Sequence, residues 1–222
     1  MIENAHIDPV WLWRWQEGYE TVRATFKSAL ERLNEYPEFI FTASSAAFYR
    51  WIEEVDRELF DKIRQKVKKG RWCLVGGWWI EPDCNIPGGK AWVRQGLYGQ
   101  RYFYEKFGIR AKVGFNPDFF GHNIMIPQIP KKMGMDYYVF RGPALMRRSF
   151  PLIFYLFWWQ ALDGSRVLTY RIPFSYASPP GDLKEYIQKV SEQLKSDTVK
   201  SFPGEIMCFY GTGDHGGGPT RE

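Results

Sequence analysis

FIFTASSAAFYRWIEEVDRELFDKIRQKVKKGRWCLVGG, residues 39–77, is the stretch from which the architecture can be read. A β-prone run (FIFTAS, 39–44) leads into a long amphipathic segment, and a second apolar run (RWCLVGG, 71–77) follows it. Ser45 is placed to open a helix and Gly70 to close it, so one continuous helix is expected between them. Strand, helix, strand is the unit of a parallel sheet covered by helices. The same alternation continues on both sides. Upstream, GYETVRATFKSALERLNEYP carries Val22, Phe26, Leu30 and Leu33 at helical spacing. Downstream, residues 88–107 read as a helix, AKVGF as a strand, MIPQIPKKMG as a short helix and DYYVF as a strand. FYLFWWQALDGSRVLTYRIPF then places two apolar runs around Asp163-Gly164, a strong hairpin signal. DLKEYIQKVSEQLKS restores a helix and EIMCFYG a strand. The expected fold is α/β: a parallel β/α barrel-like domain of about seven strands. It forms a single unit over residues 1–222, without internal repeat or linker.

Composition narrows the class. The chain has 222 residues, 45% hydrophobic and 25% charged, which describes a globular protein rather than a disordered one. Its net charge is +5, but the basic residues spread along helices such as DKIRQKVKKGR, as on a solvated face. No nucleic-acid recognition motif accompanies them. Three cysteines without metal spacing read as reduced thiols in a cytoplasmic setting. MIEN runs into polar residues without a signal-peptide pattern, and no apolar run reaches membrane-spanning length. Neither a nucleic-acid nor a membrane partner is expected. The unusual feature is 18% aromatic residues, including ten Trp. Flat apolar faces, such as those of sugar rings, suit such side chains.

In parallel α/β folds, function gathers at the carboxyl ends of the strands. Five motifs fall there: AHIDPVWLWRW (5–15), Gly76 to Asp83, NPDFFGHN (116–123), Arg141, and GTGDHGGGPT (211–220). All three histidines, His6, His122 and His215, lie within four residues of an aspartate in these loops. His6 and Asp8 are i and i+2 in an extended segment, so their side chains share a side. One imidazole and one carboxylate suit a divalent cation, zinc above all, with Asp118 available as a third ligand. Asp118 and Asp214 form a candidate carboxylate pair; a retaining glycosidase needs two, roughly 5 to 5.5 Å apart. Blander readings stay open: Asp118 as a helix N-cap ahead of FFGHN, and Asp214 as a turn residue in a Gly-rich loop. That loop lacks the GKS/GKT ending of a phosphate loop. Trp11, three residues past Asp8, is placed to wall the site. Trp13, Trp15, Trp78, Trp79, Trp158 and Trp159 are expected to be mostly core.

AHIDPVWLWRW, GGWWIEPDCNIPGG with VRQGLYGQRYF, FNPDFFGHNIMIPQIPKKMG and YGTGDHGGGPT resemble, in order, the N-terminal catalytic domain of family 38 glycoside hydrolases, the α-mannosidases, in their bacterial, archaeal and cytosolic branch. The resemblance runs from residue 5 to the end. It implies a retaining α-mannosidase with one catalytic divalent metal, most often zinc, acting on an α-mannoside oligosaccharide or glycan. His6, Asp8 and Asp118 would be metal ligands, and Asp118 also the nucleophile. Asp214 would be the general acid/base. Trp11 would stack on the mannose ring, Arg141 would orient the nucleophile, and His215 and Tyr176 would complete the substrate contacts. Members of the family are longer, with a helical bundle and β-sandwich domains, and a fourth ligand, a histidine, from a later segment. The chain is therefore expected to be a fragment of a multidomain protein that need not be active alone, and exposed surfaces left by the other domains would favour homo-oligomers. Lys90 stands where many relatives carry an acidic residue. Two readings compete: a metal-dependent carbohydrate deacetylase, which should show an HxxxH pattern that this chain lacks, and a non-catalytic carbohydrate-binding fragment.

Overall fold

The computed structural model describes residues 1–118, 120–141, 155–178, 182–196 and 205–216. Within them lie eight strands and six helices, and the strands form two four-stranded sheets. The strands are β1 (Ile2–Asn4), β2 (Phe41–Ala43), β3 (Trp72–Leu74), β4 (Val113–Asn116), β5 (Tyr137–Arg141), β6 (Leu156–Gln160), β7 (Arg166–Ile172) and β8 (Phe209–Tyr210). One sheet has the order β3-β2-β1-β8 and the other β4-β5-β7-β6. Every ladder is parallel except β6–β7, which closes the Asp163-Gly164 hairpin with Trp158 opposite Leu168. Gly76 N donates to Val113 O at 2.9 Å and brings the end of β3 to β4. Seven strands thus belong to parallel ladders, as a barrel-like α/β domain requires, and the eighth is an antiparallel addition.

The helices are α1 (Trp15–Glu35), α2 (Ala46–Val55), α3 (Arg57–Lys68), α4 (Gly89–Phe107), α5 (Gln128–Lys132) and α6 (Leu183–Ser196). Val22, Phe26, Leu30 and Leu33 of α1 are all buried, as their spacing requires. The single helix expected from Ser45 to Gly70 is in fact two. Asp56 leaves helical geometry (φ −135°, ψ 73°), and its carboxylate accepts the Leu59 N–H at 3.1 Å. An aspartate that caps a new helix competes with continuation of the old one. Arg23 and Lys27 of α1 hold the same carboxylate, at 3.2 and 3.6 Å. Ser45 precedes α2 without a side-chain cap. The free N–H groups of Ala46 and Ala47 donate instead to Trp78 O (3.0 Å) and Trp79 O (2.8 Å), tying α2 to the loop after β3. EIMCFYG contributes only Phe209 and Tyr210 to a strand.

Among the described residues, three apolar clusters form the core. The first packs α1, α2, α3 and α4 on β2 and β3 around Phe26, Tyr49, Trp72 and Phe103. The second gathers Trp78, Trp92, Met135 and Tyr138. The third, with Val75, Phe115, Val139, Tyr170 and Phe209, joins residues of both sheets. The expectation that most of the remaining tryptophans are core holds poorly. Trp78 is fully buried, Trp79 and Trp159 are partly so, and Trp15 and Trp158 are exposed. A WxWxW run cannot bury all its rings in a loop that turns across the molecular surface. All three cysteines are free thiols.

Candidate active site

The loops that follow the parallel strands enclose a cavity of about 450 Å³ lined by His6, Asp8, Trp11, Ser44, Glu81, Asp118, Tyr176 and Asp214, among others. The side chains are delivered by several strand ends: His6, Asp8 and Trp11 follow β1, Ser44 follows β2, Glu81 follows β3, Asp118 follows β4, Tyr176 follows β7 and Asp214 follows β8. The 6–8 segment continues from β1 and is fastened to the 212–214 segment beyond β8: His6 N donates to Thr212 O at 3.1 Å, and Asp8 N to Asp214 O at 2.7 Å. Asp214 has a positive φ of 55°, a left-handed position that Asp tolerates better than most residues. The turn reading and the functional reading of Asp214 are therefore compatible. Asp118 follows β4, and no helix begins at it among the described residues, so it is not an N-cap. The GGPT end of the Gly-rich motif lies outside the described residues.

His6 is buried and sits at the centre of the acidic residues. Its Nε2 faces Asp8 Oδ1 at 3.6 Å and Asp118 Oδ2 at 3.9 Å, and its Nδ1 faces Glu81 Oε2 at 3.7 Å. Burial disfavours the charged ring, but Asp8, Glu81 and Asp118 outweigh it, so its pKa lies above the usual imidazole value. Burial raises the Asp118 pKa; the charges of Asp214 and Asp8 push it further, against His6 and Arg141. Burial lifts the Glu81 carboxyl to about 8. The Tyr176 hydroxyl donates to Asp214 Oδ1 at 2.8 Å, and the Arg141 guanidinium lies 5.4 Å from the centre of the Tyr176 ring.

The donor set fits a divalent cation. Nε2 of His6 is buried without a hydrogen-bond partner among the described residues, although it points at two carboxylates. Gaps of 3.6 and 3.9 Å are too long for hydrogen bonds, but ligands each about 2.0 to 2.2 Å from a shared ion are spaced on that order. His6, Asp8 and Asp214 offer ligand atoms that all lie within 4.8 Å of one another. This trio contains Asp214 where the sequence reading had Asp118, which stands 3.9 Å from His6 Nε2. Nitrogen and oxygen donors suit zinc.

Trp11 lines the cavity and is 58% exposed; its ring meets the edge of Trp13 at 5.6 Å. Trp13 donates its indole N–H to Asp8 O at 3.0 Å, so it shapes the loop rather than the cavity wall. The other two histidines are elsewhere. His122 lies in an aromatic box with Tyr138, Phe140 and Trp159, where burial drops its pKa to about 3. His215 stands against Trp13 and pairs with Glu17 at 2.9 Å, outside the cavity lining. Glu81 was not singled out from sequence. The signal was an acid directly after the apolar run Trp78-Trp79-Ile80. An acid in such a setting is burdened by desolvation unless it has partners.

Fold and cavity together define a class: α/β domains that present carboxylates and imidazole on loops at the carboxyl ends of parallel strands. The chain belongs to the glycosyl hydrolases family 38 N-terminal domain, whose description matches residues 1–222. It is 36% identical over 220 residues to alpha-mannosidase G of Dictyostelium discoideum, covering 99% of this chain and 20% of that one. It is 33% identical over 226 residues to an alpha-mannosidase of Saccharomyces cerevisiae, covering 100% of this chain and 20% of that one. The crystal structure of an alpha-mannosidase from Enterococcus faecalis shares the fold, with a TM-score of 0.80 at 18% identity over 97% of this chain and 25% of that one. The chain thus spans about a fifth of the length of these curated relatives. Among the described residues, no helix is long and apolar enough to cross a membrane.

Proposed function

We propose that this chain carries the nucleophile and metal ligands of a retaining α-mannosidase acting on an α-mannoside glycan. One observation carries the reading: Asp118 and Asp214 line the same cavity as His6 and Asp8, in a chain of this family. Asp118 attacks the anomeric carbon and forms a glycosyl-enzyme ester. Asp214 gives a proton to the departing oxygen and later takes one from the attacking water. Tyr176 orients Asp214 through its 2.8 Å hydrogen bond. Arg141 favours the ionised form of Asp118. Trp11 offers its exposed ring to the apolar face of the sugar. His215 is available to a longer glycan from outside the cavity.

His6, Asp8 and Asp118 would hold one divalent cation, zinc by donor type, with Asp214 a further carboxylate within 4.8 Å of His6 and Asp8. Bound there, the cation supplies fixed positive charge that favours an ionised nucleophile and attracts sugar hydroxyls. This offsets the burial that raises the Asp118 pKa. A cytoplasmic setting agrees with the three free thiols.

The test compares leaving groups in the full-length polypeptide and in this chain alone, each after chelation and after zinc is restored. Asp118→Asn should abolish turnover of every aryl α-mannoside. Asp214→Asn should spare the first step, read as kcat/KM, for substrates whose phenolate leaves without protonation, and slow hydrolysis of the glycosyl-enzyme on all of them. Normal turnover by Asp118→Asn would remove it as nucleophile, and an equal loss of kcat/KM on all substrates by Asp214→Asn would remove Asp214 as acid.

A further inference from the structure

The groups read as ligands come from separate parts of the fold: His6 and Asp8 beyond β1, Asp118 beyond β4. Their relative position has to be fixed before a cation can meet them at the right distances. Glu81 reaches both sets. Its Oε1 accepts the Asp118 backbone N–H at 3.2 Å, and its Oε2 faces His6 Nδ1 at 3.7 Å. Its side chain is only 14% exposed. The loop that carries it is anchored: Trp79 N donates to Gln95 O and Ile80 N to Gln95 Oε1, both at 2.9 Å or less, while α2 binds the Trp78 and Trp79 carbonyls.

We infer that Glu81 is a positioning residue that ties the two ligand segments together: one carboxyl oxygen fixes the Asp118 backbone, and the other stands beside Nδ1 of His6, so that the ring presents Nε2 to the cation. The inference rests on the metal reading of the site. The chemistry is direct. A ligating imidazole presents a lone pair on one nitrogen and carries its proton on the other, which then meets a carboxylate or carbonyl. In His6, Nε2 faces Asp8 and Asp118, and Nδ1 faces Glu81. An amide at position 81 could still accept from Asp118 N–H through its oxygen. It would then turn its NH2 toward Nδ1, where a ring bound to a cation through Nε2 carries its own proton, and the two donors would oppose binding.

Two measurements test this. Nitrogen NMR of the zinc-loaded wild-type chain should report His6 bound through Nε2 and protonated on Nδ1. Zinc competition against a chromophoric chelator should give Glu81→Gln an affinity roughly 10- to 100-fold weaker. Zinc affinity of Glu81→Gln within twofold of wild type, or zinc bound through Nδ1 in the wild type, would overturn the inference. If Glu81→Gln does not fold, Glu81→Asp, which withdraws the carboxylate by one methylene, serves for the affinity measurement, and the nitrogen that binds zinc in the wild type decides independently. A wild type that takes up no zinc would remove the metal reading itself. A wild type that binds zinc, with a variant that binds it equally, removes only the role of Glu81.

Discussion

Trp11 and Trp13 lie two residues apart and have different surroundings. Trp11 stands 58% exposed on the cavity wall, and Trp13 is tied to the Asp8 carbonyl. Truncating an exposed side chain typically changes stability by no more than about 0.5 kcal/mol. Trp11→Ala should therefore leave the melting temperature nearly unchanged while raising KM for an aryl α-mannoside about tenfold, equivalent to about 1.4 kcal/mol of binding. A clear fall in melting temperature with unchanged kinetics would mark Trp11 as a packing residue. Glu3 allows a second prediction at this scale. It is 2% exposed in β1, and burial, only partly offset by the Tyr210 hydroxyl, raises its carboxyl to about 8. Between the unfolded value of 4.5 and 8, the folded chain keeps a proton that the unfolded chain releases. Stability should then fall as pH rises through that window, by up to about 1.4 kcal/mol per pH unit from this group. Denaturation at pH 5 and pH 8 should show a shallower slope for Glu3→Gln than for wild type; parallel slopes would show that Glu3 does not titrate there.

At the scale of elements, close contacts between helices and site loops decide the geometry. A Cβ on Gly18 of α1 would stand 2.2 Å from Pro9 O, and one on Gly99 of α4 would stand 2.4 Å from the Trp78 carbonyl carbon. Both neighbours are backbone of loops that carry site residues. Alanine in a helix interior gains about 1 kcal/mol over glycine in propensity, whereas overpacking costs about 1–3 kcal/mol. The clash should win. Gly18→Ala and Gly99→Ala should lower stability and impair zinc binding, while Gly89→Ala, with open space around it, should do neither. Thermal melts and chelator competition on the three variants check this; a stabilised Gly99→Ala would mean that α4 can move away from the loop.

At the scale of the molecule, the cavity joins segments from both sheets: His6 and Asp8 beyond β1 of one, Asp118 beyond β4 of the other. A cation held by these residues binds the folded chain and finds no such site in the unfolded one. Zinc at a hundredfold excess over its dissociation constant should stabilise the fold by about 2.7 kcal/mol. His6→Ala should lose that increment. Melting with and without zinc checks it, and equal stabilisation of His6→Ala would place the ion elsewhere.

The sequence by itself determined the order of elements, because hydrophobic period and punctuation are local properties. Val22, Phe26, Leu30 and Leu33 announced α1, and Asp163-Gly164 announced the hairpin. It also placed His6, Asp8, Asp118 and Asp214 in loops after strands, where their types suggested an ion and a carboxylate pair. The split of α2 from α3 was less legible, since Asp56 owes part of its role to Arg23 and Lys27 of another helix. Only the tertiary structure sorted the histidines. His6 is ringed by Asp8, Glu81 and Asp118, His122 is enclosed by aromatic rings, and His215 pairs with Glu17. It alone revealed Glu81, whose partners lie 75 and 37 positions away in the chain. Spacing along a chain reports which side chains share a face of one element. Which groups meet across elements depends on how strands pair and helices pack, and that is settled only when the whole domain closes around the cavity.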